Sequence, residues 1–103
     1  MTTHHIRQAR ILEDVMAERD AQDAQFGVQD LPDGTGGPYF EAAADLHRRE
    51  CDAARTCTFR HVFLEEVFEA MAETDPVKLR AELIQAISVG VKWVEAIDRR
   101  EGR

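Results

Sequence analysis

Hydrophobic positions recur at intervals of three and four residues through most of the chain, a period typical of amphipathic α-helices. The first such segment runs from about His5 to Gln25, and its opposite face carries charged and amide side chains. Gly27 is expected to end this helix, because glycine readily adopts the left-handed conformation of a helix C-terminus. The apolar positions of the segment are Ile6, Ile11, Leu12, Val15 and Met16.

Three further helices follow from the same pattern. The second is predicted from Tyr39 to about Thr56 and is strongly charged, so it should be partly exposed. The third, from Phe59 to about Glu73, is the most apolar, and Thr58 is a suitable N-cap for it. The fourth begins at Asp75-Pro76, an N-cap followed by proline at the first helical position, and reaches the basic pair Arg99-Arg100. No alternating strand pattern competes, so the sequence predicts an all-α fold of four helices.

The segment Gln29–Pro38 is the one stretch rich in turn residues. Its Pro32-Asp33-Gly34 sequence is typical of a β-turn. It is longer than most connections between helices in small domains. It is therefore either a mobile surface loop or a lid beside a site.

Length and charge limit the possible functions. The 103 residues predict a single domain spanning 1–103. A chain of this size buries roughly two thirds of its surface, so self-association would enlarge its core. No run of about 18 apolar residues exists, which predicts no membrane partner. The net charge of -7 argues against a nucleic acid polymer as partner, whereas a nucleotide remains possible because a divalent cation can bridge acids to phosphates.

The two cysteines, Cys51 and Cys57, lie six positions apart, and on a helix they would point in different directions. They are expected to be free thiols in a reducing cytoplasm. The first residues lack the basic start and apolar stretch of a signal peptide, which also favours a cytoplasmic location.

Carboxylates cluster on the third and fourth helices. Glu66 and Glu69 are three positions apart and so share one helix face, and Glu82 and Gln85 repeat that spacing on the next helix. The intervening turn is short, so the two helices should pack antiparallel and set one pair opposite the other. At about 100° per residue, Glu66 falls inside the apolar arc of its helix.

Burial decides how such acids interact. Exposed carboxylates repel each other by only tenths of a kcal/mol. Partly desolvated carboxylates about 6 Å apart would repel by roughly 3 kcal/mol per pair, and so need protons, a basic partner or a cation. Mg²⁺ is usually held by few carboxylates, with substrate phosphates completing its shell. From these residues alone, a solvated acidic face that flanks a helix dimer explains the pattern equally well.

The order of these acids resembles the signature of the all-α nucleoside triphosphate pyrophosphohydrolases, the MazG-like superfamily. That signature is Glu-Glu-x-x-Glu on one helix and Glu-x-x-Asp on the next. The chain has Glu-Glu-Val-Phe-Glu from position 65 and Glu-Leu-Ile-Gln from position 82. Segments 17–27, 29–36, 80–85 and 93–100 are similar to a small actinobacterial and phage-associated branch, so the resemblance covers most of the chain.

The resemblance implies a four-helix MazG-like bundle, completed by dimerisation or present as a tetramer. The implied reaction is Mg²⁺-dependent hydrolysis of an NTP or dNTP to the monophosphate and pyrophosphate, in nucleotide-pool housecleaning; Mn²⁺ is a possible substitute. Glu66, Glu69 and Glu82 would bind the metal, with Gln85 at the fourth ligand position. Glu65 would orient or deprotonate the attacking water.

Gln85 departs from the family pattern, which has Asp there. A glutamine offers one neutral carbonyl oxygen and an amide nitrogen that cannot bind metal. Three interpretations stay open. The chain is an enzyme with a weaker metal site, a non-catalytic relative that binds nucleotide or a protein partner, or a purely structural helical assembly protein.

Four further residues are candidates for substrate binding. Phe26 stands where relatives often have Trp, and with Arg19 and Gln22 it would form a base pocket. Alternatively, Phe26 closes the helix end against the core. Lys92 lies on the same side of the fourth helix as Gln85 and would contact phosphate, or else it is a solvated lysine.

Overall fold

The computed structural model describes residues 2–103, and within them the chain forms four α-helices and no strand. The all-α prediction is therefore confirmed. None of these helices combines the length and the apolarity needed to cross a bilayer. The chain divides into two compact units: one comprises the residues up to Pro32 with Val91–Arg103, the other Asp33–Gly90. The helices are α1 (Thr3–Phe26), α2 (Pro38–Ala53), α3 (Phe59–Ala72) and α4 (Pro76–Arg100).

The ends of α1 are fixed by local capping. The side-chain oxygen of Thr2 accepts a hydrogen bond from the backbone N–H of His5, so the helix begins slightly before the predicted residue. Gly27 ends it with φ 71°, and its N–H donates to the carbonyl of Asp23 at 2.8 Å. The predicted role of Gly27 is confirmed.

In the first unit, the start of α1 contacts the last turns of α4. Ile11 and Glu95 are both only 3% exposed. His4 Nδ1 lies 3.7 Å from Glu95 Oε2, and the guanidinium of Arg7 donates to the carbonyl of Arg103 at 3.0 Å. Two polar contacts thus join the two segments.

In the second unit, α2 and α3 pack side by side and antiparallel. Phe68 of α3 stacks against Phe40 and against His47, with ring centroids 6.2 and 5.4 Å apart. Further along, His61 Nε2 lies 3.9 Å from the carboxylate of Glu50. Early residues of α2 therefore meet late residues of α3.

The caps predicted for α3 and α4 are both present. Thr58 accepts from the N–H of His61, and the His61 ring accepts in return from the N–H of Thr58, which makes a capping box. The carboxylate of Asp75 accepts from the N–H of Lys78 at 2.9 Å. A Cβ added to Gly90 would lie 3.4 Å from the ring of Phe63, so α4 at Gly90 lies beside the first part of α3.

The segment between α1 and α2 is held at its far end. The N–H of Gly36 donates to the carbonyl of Met71 in the last turn of α3, at 2.8 Å. Gly36 has φ 107°, and a Cβ there would lie 2.7 Å from the methyl of Thr74. Only glycine fits this position without displacing its neighbour.

The second helix ends three residues before the predicted position, and the free-thiol prediction is wrong. Ala54, directly after α2, has extended backbone with ψ 147°. The chain then turns back and Cys51 forms a disulfide with Cys57, their Cα atoms 4.7 Å apart. Six residues of continuous helix would separate those atoms by about 9 Å. The cysteines therefore no longer support a reducing compartment.

Candidate metal centre

Three carboxylates meet within the second unit. Glu66 and Glu69 project from α3 and Glu82 from α4, and one oxygen of each lies within 4.8 Å of the others. All three side chains are half-buried. The structure thus brings together three of the four residues predicted to bind a metal.

Helical spacing places these acids on packed faces. Glu66 lies four residues before Ala70, which has no exposed surface, and Glu82 lies four residues before Ala86, which is 5% exposed. Residues four apart share a helix face, so each acid points to the side that its alanine buries.

Two acids of the cluster, Glu66 and Glu69, have raised pKa values. Burial raises the pKa of Glu66 above its ordinary value of 4.5, and the neighbouring charges of Glu65 and Glu82 raise it further. The pKa of Glu69 rises to about 7, chiefly through burial and then through Glu66, Glu65 and Glu82, while Arg48 lowers it in part. Near neutral pH Glu69 is therefore close to half-protonated.

Two oxygens of the cluster have no hydrogen-bond partner. Among the described residues, Glu66 Oε2 and Glu82 Oε2 are buried without a donor. Buried polar atoms are nearly always paired, so each of these oxygens is available to a ligand. A donor set of three carboxylates, two with unpaired buried oxygens, fits a hard divalent cation such as Mg²⁺.

Glu65 and Gln85 differ in their surroundings. Glu65 is half-buried on α3, and its charge acts on both Glu66 and Glu69. Gln85 is exposed on α4, one turn beyond Glu82. The position at which the family pattern has Asp therefore lies nearer to solvent than the three clustered acids.

Two cavities, of about 480 and 320 Å³, open beside the cluster. Both are lined by Glu41 and Ala44 of α2 and by Glu69. The larger also has Arg48 in its wall, and the smaller has Glu82. Volumes of this order are typical of pockets for small ligands.

The contribution of α2 to these cavities was not predicted from the sequence. Glu41, Asp45 and Arg48 are spaced four and three residues apart, so they share a helix face. That spacing can be seen in the sequence. The sequence does not show that this face lines a cavity, because a charged helix face exposed to solvent has the same pattern.

The residues predicted to bind substrate belong to the first unit. The guanidinium of Arg19 donates to Gln22 Oε1 at 3.1 Å and to the carboxylate of Asp23 at 3.0 Å. Arg19 and Gln22 also line a cavity of about 270 Å³ with apolar side chains in its wall. Phe26 is 58% exposed, so it does not close the helix end against a core. Lys92 is exposed on α4. The apolar side chains of the cavity are Ile11, Val15 and Val94.

Comparisons with protein-family models, with characterised proteins and with solved structures gave no match.

Proposed function

We propose that the chain is a Mg²⁺-dependent nucleoside triphosphate pyrophosphohydrolase, which converts an NTP or dNTP to the monophosphate and pyrophosphate. The observation that carries the proposal is the convergence of Glu66, Glu69 and Glu82, with oxygens within 4.8 Å of one another. The Glu-Glu-x-x-Glu and Glu-x-x-Gln sequence pattern supports the same function.

Electrostatics favours a cation at this point. At an effective dielectric near 20, two charges 4.8 Å apart repel by about 3 kcal/mol, so three ionised acids are costly to hold together. Arg48 is the one basic residue among the described residues lining the two cavities. A bound Mg²⁺ ion, or Mn²⁺ in its place, would offset the negative charge of the acids and attract the phosphates of a nucleotide.

The protein's own groups have distinct roles in the proposed reaction. Glu66, Glu69 and Glu82 hold the metal, and Gln85 offers a carbonyl oxygen at the exposed end of the site. Glu65 orients the attacking water and accepts its proton. Water adds across the bond between the α and β phosphates, which gives one monophosphate and one pyrophosphate.

Within the first unit, Arg19 and Gln22 line an apolar cavity, and the ring of Phe26 is exposed. Base recognition by these three residues and phosphate binding by Lys92 stay predictions from the sequence. Cytoplasmic housecleaning of the nucleotide pool is the role that fits this activity.

A hydrolysis screen tests the proposal. Purified protein is incubated with a panel of NTPs and dNTPs plus Mg²⁺ or Mn²⁺, and pyrophosphate is measured. Glu66→Gln, Glu69→Gln and Glu82→Gln should each reduce the rate at least about 100-fold, because each removes a charge that holds the metal. Glu13→Gln, an exposed position on α1, is the matched control and should leave the rate unchanged.

Gln85→Asp should raise both metal affinity and rate, because it restores a charged oxygen ligand. If wild-type protein releases no pyrophosphate from any nucleotide and Gln85→Asp restores none, the enzyme proposal is wrong.

The exposed Gln85 favours a second candidate, a non-catalytic protein that binds nucleotide or acts as a helical interaction module. It predicts that nucleotide with Mg²⁺ raises the melting temperature while no product forms. A purely structural role predicts instead that Glu66→Leu stabilises the fold, since the apolar side chain would remove a buried unpaired oxygen.

Self-association as a homodimer or tetramer is part of the same proposal. The fully or nearly buried apolar residues are few and mostly small, whereas large apolar side chains on α4 are exposed. Ile84 is 49% exposed and Ile87 53%, and their spacing places them on one face. A second copy of the chain would cover such a face.

A further inference from the structure

The larger cavity beside the carboxylates has one wall formed by α2. Glu41, Asp45 and Arg48 of that helix line it together with Glu69. It adjoins the smaller cavity, because Glu41 and Glu69 line both. A ligand bound beside Glu69 would therefore lie along this face of α2.

Arg48 is positioned on that face by its own helix. Its guanidinium is paired with one oxygen of Asp45, while the other Asp45 oxygen is paired with Arg49 Nε at 2.9 Å. The positive charge of Arg48 also acts on Glu69, whose pKa it lowers. Arg48 thus lies close enough to the carboxylate cluster to act on whatever the cluster holds.

The remaining donors of Arg48 are available to a ligand. A guanidinium has five N–H donors, and the structure gives Arg48 a hydrogen bond to Asp45 through one nitrogen. The side chain is 55% exposed, so water rather than protein surrounds the rest. Two parallel N–H groups of a guanidinium match two oxygens of a phosphate.

We infer that Arg48, oriented by Asp45, is a phosphate-binding residue that holds the polyphosphate of the substrate in the cavity beside Glu69. The inference rests on the proposed function, because it takes the metal-bound triphosphate as the ligand. Asp45 and Arg49 are not ligands: Asp45 fixes the position of the guanidinium, and Arg49 shares Asp45 without lining the cavity.

The residue pair Arg48 and Arg49 provides a matched experiment. Arg48→Ala, Arg48→Lys and Arg49→Ala are compared with wild type. The first readout is the Kd of inorganic tripolyphosphate in the presence of Mg²⁺, measured by calorimetry. The second is KM and kcat for pyrophosphate release from a nucleoside triphosphate. Melting temperatures show whether each variant is folded.

Arg48→Ala should weaken tripolyphosphate binding and raise KM by at least about 10-fold, the loss expected for a charge-assisted hydrogen bond. The effect of Arg48→Lys on Kd and KM should be smaller than that of Arg48→Ala but still measurable, because lysine keeps the charge but lacks the two parallel N–H donors. Arg49→Ala removes the same charge from the same helix turn and should change both quantities less than 2-fold.

The outcomes separate this inference from the proposed function. If nucleotides are hydrolysed and Arg48→Ala behaves like Arg49→Ala, the inference is wrong and the enzyme proposal stands. If no nucleotide is hydrolysed but tripolyphosphate binds and Arg48→Ala abolishes binding, the inference stands and the enzyme proposal falls. If wild-type protein neither hydrolyses nor binds, both are wrong.

Discussion

Glu69 couples folding to protonation more strongly than an ordinary surface acid does. Its pKa of about 7 results from burial and from the nearby charges of Glu66, Glu65 and Glu82. An unfolded chain would restore the ordinary value of 4.5. Between those values the folded protein binds more protons than the unfolded chain, so its stability must fall as pH rises.

We predict that, without divalent cations, the free energy of unfolding decreases between pH 5 and pH 8. The stabilising contribution is fully present below about pH 4.5 and is lost as pH rises through 7. The shift of 2.5 units (7 − 4.5) corresponds to at most about 3 kcal/mol at about 1.36 kcal/mol per unit, and partial exposure reduces it. Denaturant unfolding at several pH values in chelator measures it.

If Mg²⁺ binds to the three acids as proposed, it should oppose this loss of stability, because it would replace the protons. Its stabilising effect should be large at pH 8 and small at pH 5. Glu69→Gln is the control, and it should remove most of the pH dependence. If Glu69→Gln leaves the pH dependence of the free energy of unfolding unchanged, the titrating group is not Glu69.

At the residue scale, the acids were easier to anticipate than their basic neighbour. Glu66 and Glu82 each precede a buried alanine by one turn, so the period of their own helix places them inward. Arg48 shares its face with Asp45 and Glu41, a pattern that fits exposure as well as it fits a cavity wall. The environment of that face depends on tertiary packing, which the spacing of residues within one helix does not reveal.

Among the elements, the loop before α2 depends on a glycine at position 36. We predict that Gly36→Ala destabilises the fold, because alanine disfavours φ 107° and its Cβ would lie 2.7 Å from the Thr74 methyl. Gly34→Ala is the matched control, since Gly34 has φ 70° with nothing within 4 Å of an added Cβ. The control should cost about 1 kcal/mol and Gly36→Ala clearly more. Equal losses in denaturant unfolding would show that the Thr74 contact is unimportant.

The disulfide is a second prediction at this scale. Replacing Cys51 and Cys57 by serine, or reducing the wild type, should lower the free energy of unfolding by about 2 kcal/mol, the chain-entropy value for so short a loop. Thermal unfolding with and without a dithiol reductant measures the effect. The double-serine variant should not respond to the reductant. Equal melting temperatures for reduced and oxidised wild type would contradict the prediction.

Helix starts were predictable where their signals are local. Thr58 and Asp75 cap the helices that follow them, and Gly27 ends the first helix, through contacts within three or four residues. The end of α2 was misplaced because residues up to Thr56 are individually compatible with helix. The chain instead turns back to join Cys57 to Cys51, and that pairing cannot be read from a helical period.

For the molecule as a whole, the balance of buried and exposed apolar surface favours association. The buried apolar core of the described residues is small and consists of Ala44, Ala70, Leu79, Ala86 and Ile11. Five further large apolar side chains on α4 are more than one-third exposed in addition to Ile87. Those five are Val77, Leu83, Ile84, Val94 and Ile97.

We predict that wild-type protein is at least dimeric and that Ile87→Lys shifts it toward monomer, because a charge at a covered apolar face is costly to bury. Sedimentation over a range of concentrations measures the mass. Val28→Lys is the control, since Val28 is 87% exposed outside any helix and should not affect association. A monomeric wild type at every concentration would contradict the proposed self-association.

The all-α class followed directly from hydrophobic periodicity, which averages over many residues and tolerates local errors. The single domain, the MazG-like bundle and its dimerisation stay predictions, because they depend on how surfaces meet rather than on how each helix is patterned.

The Cys51–Cys57 bond also closes a small covalent ring around an exposed basic residue. Arg55 lies inside that ring and is open to solvent. A trypsin-like protease that cuts after Arg55 would sever the backbone and yet leave both fragments attached. Such a nicked chain would migrate as one species without reductant and as two with it, so a cut there would stay hidden until the thiols were freed.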